Sequence, residues 1–121
     1  MTWYRKMALS AGALVMATGG LAATASPAAA VGGCPAGKLC LYAGTNYTNM
    51  KLSTGSIDSC WDLPNYGLTS VKSYVNNMSV KATIWDRASN GEYYLDGTIS
   101  PKRFSSNAGA NFGYYGIACT E

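Results

Sequence analysis

Beyond an apolar opening, hydrophobic and polar residues alternate along the chain instead of recurring every three or four positions, a pattern that predicts strands and no long helix. Gly, Asn, Ser and Thr interrupt the alternation at intervals of roughly ten residues, the rhythm of a β-sandwich or barrel. Residues 38–43 read as a first strand and 49–53 as a second, joined by a turn through Gly44, Thr45 and Asn46. Residues 56–64 read as irregular or as a short edge strand, because Pro64 cannot donate to a ladder. In 68–75, Leu68, Ser70, Lys72 and Tyr74 alternate with Thr69, Val71, Ser73 and Val75, which predicts another strand before a bend at Asn76 and Asn77. Val80, Ala82 and Ile84 share one face of the next strand, and Asn90-Gly91 signals a hairpin leading into Glu92-Tyr93-Tyr94-Leu95. Residues 97–111 read as a long loop and 112–119 as the last strand. Two halves of about forty residues, each with about four strands, predict two Greek keys packed face to face.

The opening stretch changes the charge balance. Arg5 and Lys6 precede an uncharged Ala/Leu/Val/Met-rich run, and Ser26-Pro27-Ala28-Ala29-Ala30 ends in the small-x-small pattern of a signal-peptidase site. Residues 1–30 are therefore expected to be a cleaved signal peptide, and 31–121 a single exported domain with no membrane attachment once the leader is gone. The run is broken by Gly12, Thr18, Gly19 and Gly20, which makes it a poor membrane-spanning helix. With Arg5 and Lys6 removed, seven basic residues face six acidic ones. Only Lys102-Arg103 is a basic pair, so no patch exists for counterion release and a nucleic-acid partner is not expected.

A domain of this size builds a modest core, so covalent staples matter. Cys34, Cys40, Cys60 and Cys119 allow three pairings. Pro35 and Gly37 let the chain fold back between the first two, making Cys34 with Cys40 the easiest local closure and leaving Cys60 with Cys119. On the chain-entropy account the short loop contributes roughly 2 kcal/mol and the long one about 4 kcal/mol. Structural zinc usually draws on two close cysteine pairs, whereas Cys60 and Cys119 are isolated.

The run Cys34-Pro-Ala-Gly-Lys-Leu-Cys40-Leu-Tyr42-Ala-Gly-Thr-Asn46-Tyr47 resembles the opening of secreted bacterial metalloproteinase inhibitors with a βγ-crystallin-like fold. Tyr42, Tyr47 and position 49 look like the crystallin corner, with Asn49 where Gly usually stands; Asn is the next-best residue for a left-handed backbone. Leu68-Thr69-Ser70-Val71 is similar to the later strand of such a key, where a Ser closes over the corner. The resemblance implies an all-β, two-Greek-key, disulfide-stapled sandwich and a monomeric inhibitor of an extracellular protease, a metalloprotease by class, acting by loop insertion into the active-site cleft. In that family the second cysteine pair lies close together on a protease-contacting loop, whereas Cys60 and Cys119 are far apart here.

There is no histidine, which removes His-based triads, Cys–His dyads and His metal sites. Glu92 with Asp96, and Asp58 with Asp62, lack an apolar neighbourhood that would raise an acid's pKa, so no enzyme is expected. Asn65, Thr69 and Ser70 form a candidate calcium set, with Tyr66 in the slot of a second acid or amide; no other cofactor is indicated. Ile99, Lys102, Arg103 and Phe104, in the long second-half loop, are the candidate protease contacts. The alternative is a non-inhibitory crystallin-like module binding calcium, glycan or a surface partner, with Tyr93-Tyr94 and Tyr114-Tyr115 as outward rings.

Overall fold

The computed structural model describes residues 31–121, and the expected leader 1–30 lies outside them. Among these residues the strands are β1 (Leu39–Tyr42), β2 (Met50–Thr54), β3 (Cys60–Asp62), β4 (Ser73–Asn76), β5 (Ala82–Arg87), β6 (Tyr93–Ile99), β7 (Phe104–Ser105) and β8 (Ile117–Thr120). They form two four-stranded antiparallel sheets, ordered β2-β1-β4-β7 and β6-β5-β8-β3. The two orders are counterparts. Each half of the chain places its first, second and fourth strands in one sheet and sends its third strand to the edge of the other. The halves are thereby interlocked instead of stacked as separate units.

β1 is buried along its whole length. Leu39 and Leu41 join Leu52 from the same sheet, Ala82, Ile84, Ile99 and Ala118 from the other, and Leu63, Leu68 and Val71 from the connections, in one core. Burying each such leucine or isoleucine contributes roughly 1.5–3 kcal/mol. Cys40 and Tyr42 point the other way, as alternate strand residues must. They meet Cys34, Val75, Val31 and Tyr47 in a smaller cluster that covers the outer face of β1. Both disulfides form, Cys34 with Cys40 in the small cluster and Cys60 with Cys119 across the β3–β8 pair.

Three expected elements are redrawn. Residues 68–75 are not one strand: only Ser73–Asn76 enters a ladder, because Leu68 and Val71 both turn into the core and Val71 N–H bonds Phe112 O at 2.8 Å. Residues 112–119 yield a strand only from Ile117, since Gly113 and Tyr115 hold positive φ values of 68° and 46°. The expected loop 97–111 is divided, with Ile99 ending β6 opposite Ala82 and Phe104–Ser105 forming β7. The segment around Pro64 behaves as anticipated, a short edge strand running into a 3-10 turn, Leu63–Tyr66.

The corner before β2 is a tight clasp. The Tyr42 and Tyr47 rings meet edge to face with centroids 5.7 Å apart, and Asn46, Tyr47 and Asn49 hold φ values of 55°, 59° and 60°. Ser73, not a residue of 68–71, closes it: its hydroxyl donates to Gly44 O at 2.6 Å and accepts from Tyr47 N–H at 3.0 Å. The Tyr42 hydroxyl donates to Gly32 O at 3.1 Å. Burial, and secondarily the neighbouring Tyr47, raise the Tyr42 pKa above its ordinary 10.0; burial and then Tyr74 do the same for Tyr47. The fold thus holds both phenols protonated beyond the point where an unfolded tyrosine ionises. Their contribution is complete below about pH 10 and is lost as pH rises through the higher folded values. Alkaline titration followed by phenolate absorbance should show Tyr42 and Tyr47 resisting ionisation beyond the ordinary 10.0 while the protein is folded; their ionisation at that ordinary value in the folded protein would contradict this.

Candidate functional site

Each third strand has to be reached by a loop that crosses between the sheets, and both crossings occur at one end of the molecule. Residues 55–59 link β2 to β3, and residues 100–103 link β6 to β7. In the first sheet Thr54, Leu39 and Asn76 lie side by side, with Val75 opposite Phe104. In the second, Cys60 pairs with Cys119, while Thr120, Ala82 and Ile99 share a row. Both loops emerge from these matched ends.

Loop 55–59 is short, exposed and fixed from several sides. Its last residue adjoins the Cys60–Cys119 bridge. The Thr120 hydroxyl donates to Ser56 O at 2.7 Å, and Thr120 N–H donates to Ser59 O at 2.8 Å. Ser56 N–H donates to the Thr54 hydroxyl at 3.2 Å, and the Ser59 hydroxyl to Ile57 O at 2.9 Å. Asp58 takes a left-handed φ of 52°, turning the chain immediately after Ile57. Ile57 itself is 53 % exposed at the crest. A large aliphatic side chain held in water on a tied-down backbone gains nothing for the fold, and is suited to enter an apolar pocket on a partner.

Loop 100–103 is fixed by amides in place of a disulfide. Asn76 Nδ2 donates to the carbonyls of Val80, Ile99 and Ser100 at 3.0, 3.1 and 3.3 Å. Asn76 N–H donates to Arg103 O at 2.8 Å, and Lys102 Nζ to Asn77 O at 2.8 Å. Lys102 adopts φ 65° at the turn. Lys102 and Arg103 are exposed, with Phe104 41 % exposed at the start of β7. Ile99 is corrected: at 2 % exposure it belongs to the core and has no surface to offer a partner. The structure therefore places Lys102, Arg103 and Phe104 at the same end as Ile57 and removes Ile99 from the set.

Loop 55–59 does not show in the sequence as a braced loop, because no two cysteines near each other in the chain flank it. The brace is present, but its second sulfur comes from a distant strand. A local signal does exist: Ile57 stands alone among turn-forming residues, Gly55-Ser56 before it and Asp58-Ser59 after it, where no strand periodicity calls for it.

The candidate calcium residues are arranged less favourably. Asn65 lies in the 3-10 turn, Thr69 is exposed and Ser70 is buried at 6 % exposure. Thr69 O already accepts from Tyr115 N–H at 2.8 Å. One amide and two hydroxyls without a carboxylate fall short of the six or more oxygens calcium takes, so no role is derived through that ion. Among the described residues no cluster of three or more His, Cys, Asp or Glu side chains is poised to hold a metal, and no helix is long and apolar enough to cross a membrane.

Searches of curated proteins and of solved structures returned no match. The profile of peptidase inhibitor family I36 matches residues 27–95, a span that takes in the Cys34–Cys40 loop, the tyrosine corner and loop 55–59 and stops before loop 100–103. That family is one of bacterial metalloproteinase inhibitors, which makes this a protease inhibitor with a protease as its partner and not an enzyme. With more than half of its length matched, the chain belongs to peptidase inhibitor family I36.

Proposed function

We propose that the protein is a secreted, monomeric inhibitor of an extracellular metalloprotease, released by cleavage after Ala30, and that it docks through the end carrying its two crossover loops. The observation that carries this is Ile57, exposed on a loop bound at both sides by the Cys60–Cys119 bridge and Thr120. Ordering a residue's backbone costs roughly 1–2 kcal/mol, and for loop 55–59 that cost falls in folding, not in binding. Ile57 enters an apolar specificity pocket as a side-chain plug. The carbonyls of Ser56, Ile57 and Ser59 are engaged by the inhibitor's own donors, so the backbone is not free to swing toward the protease's catalytic groups. Lys102 and Arg103 contact the rim of the same cleft.

The scaffold fits two interlocked βγ-crystallin-type Greek keys. The exchange of third strands and the Ser73-closed tyrosine corner support that assignment. The oxidised cysteines suit an extracellular setting.

The test is titration of thermolysin-like, subtilisin-like and trypsin-like proteases with the purified protein at micromolar concentration. Thermolysin-like activity, whose pocket takes large aliphatic side chains, should fall in proportion to added inhibitor. Unchanged activity across all three classes would overturn the proposal.

A further inference from the structure

We infer that the end of the molecule opposite the crossover loops is a carbohydrate-binding surface fitted to an uncharged polysaccharide chain. β6 begins with four successive exposed residues, so both faces of this edge ribbon meet solvent. Tyr93 and Tyr94 are 38 % and 50 % exposed, and Tyr114 and Tyr115 are each 46 % exposed. Each ring has a neighbour that orients it. The Arg87 guanidinium lies 6.0 Å from the Tyr93 ring centre, and the Tyr94 hydroxyl donates to Glu92 Oε1 at 3.0 Å. Tyr114 and Tyr115 meet edge to face at 4.7 Å, and Tyr115 is held in a left-handed conformation by its N–H bond to Thr69 O at 2.8 Å. Arg87 N–H donates to Tyr114 O at 3.0 Å, which joins the two tyrosine pairs into one surface.

A bulky residue at positive φ is costly, and Tyr115 gives the core nothing in return, as expected of a position kept for recognition. The chemistry selects the occupant. Sugar rings offer C–H faces that lie on aromatic rings and hydroxyls that bond carboxylates and guanidinium, and tyrosine supplies both kinds of contact with few torsions to freeze. Charge excludes the other polymers. Asp86 and Glu92 flank the single Arg87, so the surface is locally negative and repels nucleic acid and anionic lipid. Tyr93 and Tyr94 divide between the two sides of the ribbon, as adjacent strand residues must, whereas Tyr114 and Tyr115 lie together in the turn before β8. The four rings do not form the single dry patch that a protein partner or second copy requires, but a chain crossing the strand ends from Tyr93 past Arg87 to Tyr114 meets them in turn.

Affinity electrophoresis through gels containing neutral soluble glucans, together with co-sedimentation on chitin and cellulose, tests this with the wild type and a Tyr94→Ala/Tyr114→Ala variant. The wild type should be retarded or sedimented by at least one neutral polysaccharide, and the variant should lose about tenfold or more in affinity while keeping its melting temperature. An Ile57→Ala variant should bind glycan like the wild type, which separates this surface from the protease-docking end. Absence of retention on every neutral polysaccharide, or equal retention of the tyrosine variant, would overturn the assignment.

Discussion

Replacing Ile57 by alanine is expected to weaken protease inhibition by about thirtyfold to a hundredfold, the equivalent of the roughly 2–3 kcal/mol that a buried isoleucine contributes when it fills an apolar pocket. The folded inhibitor should be unaffected, because the side chain is 53 % exposed and absent from the core. Inhibition constants and melting temperatures measured on the same preparations check this. A loss of inhibition with unchanged melting places the effect in the contact, whereas unchanged inhibition would show that the protease reads another surface. Ile57→Asp should be worse than Ile57→Ala, since it adds an unpaired charge to the apolar pocket next to Asp58.

Removing the Cys60–Cys119 bridge with paired serines should cost about 4 kcal/mol, against roughly 2 kcal/mol for removing Cys34–Cys40, because the enclosed chain is far longer. In a domain of this size that corresponds to a fall in melting temperature of roughly 20 °C or more. The bridge joins edge strand β3 to β8 and adjoins loop 55–59, so a second effect is expected below the melting range. Freed from the bridge, β3 and the loop before it are held only by the short ladder and a few hydrogen bonds, those from Thr120 among them. The loop then regains conformational freedom that must be lost again on binding. Inhibition should therefore weaken even at temperatures where the variant is folded. Calorimetry with inhibition assays at low temperature checks both parts; equal melting shifts for the two bridges, or full inhibition by the folded variant, would contradict them.

Much of the scaffold was legible in the residues. Cysteine spacing identified both pairings, alternation located β1, β2 and β5 to within a residue or two and the start of β6 but not its end, and Asn90-Gly91 marked the hairpin between β5 and β6. Long-range partnership was not legible. Periodicity alone does not reveal that the third strand of each half crosses to the other sheet, nor that Ser73 reaches Gly44 across the corner while Ser70 turns inward. Alternation in 68–75 misled because Leu68 and Val71 are buried by an irregular path, three residues apart, and not by a strand. At 112–119 a conformational bar intervenes. Any side chain at Gly116 would overlap the Trp85 carbonyl, and the positive φ at Gly113 and Tyr115 delays the strand until Ile117.

The candidate site divides along the same line. Lys102, Arg103 and Phe104 stand out in the sequence because they sit in a visibly long connection, while the burial of Ile99 is hidden there because its ladder partner Ala82 is invisible to local reading. Ile57 does not stand out in the sequence because the strand that ties down its loop lies at the far end of the chain.

The most direct measurement is hydrogen exchange of the inhibitor free and bound to a thermolysin-like protease. Docking through the crossover end predicts new protection concentrated in residues 55–59 and 100–103, with the tyrosine end around residues 93–95 and 113–116 exchanging as in the free protein. Protection confined to the tyrosine end, or none at either crossover loop in a complex shown to have formed, would contradict the account.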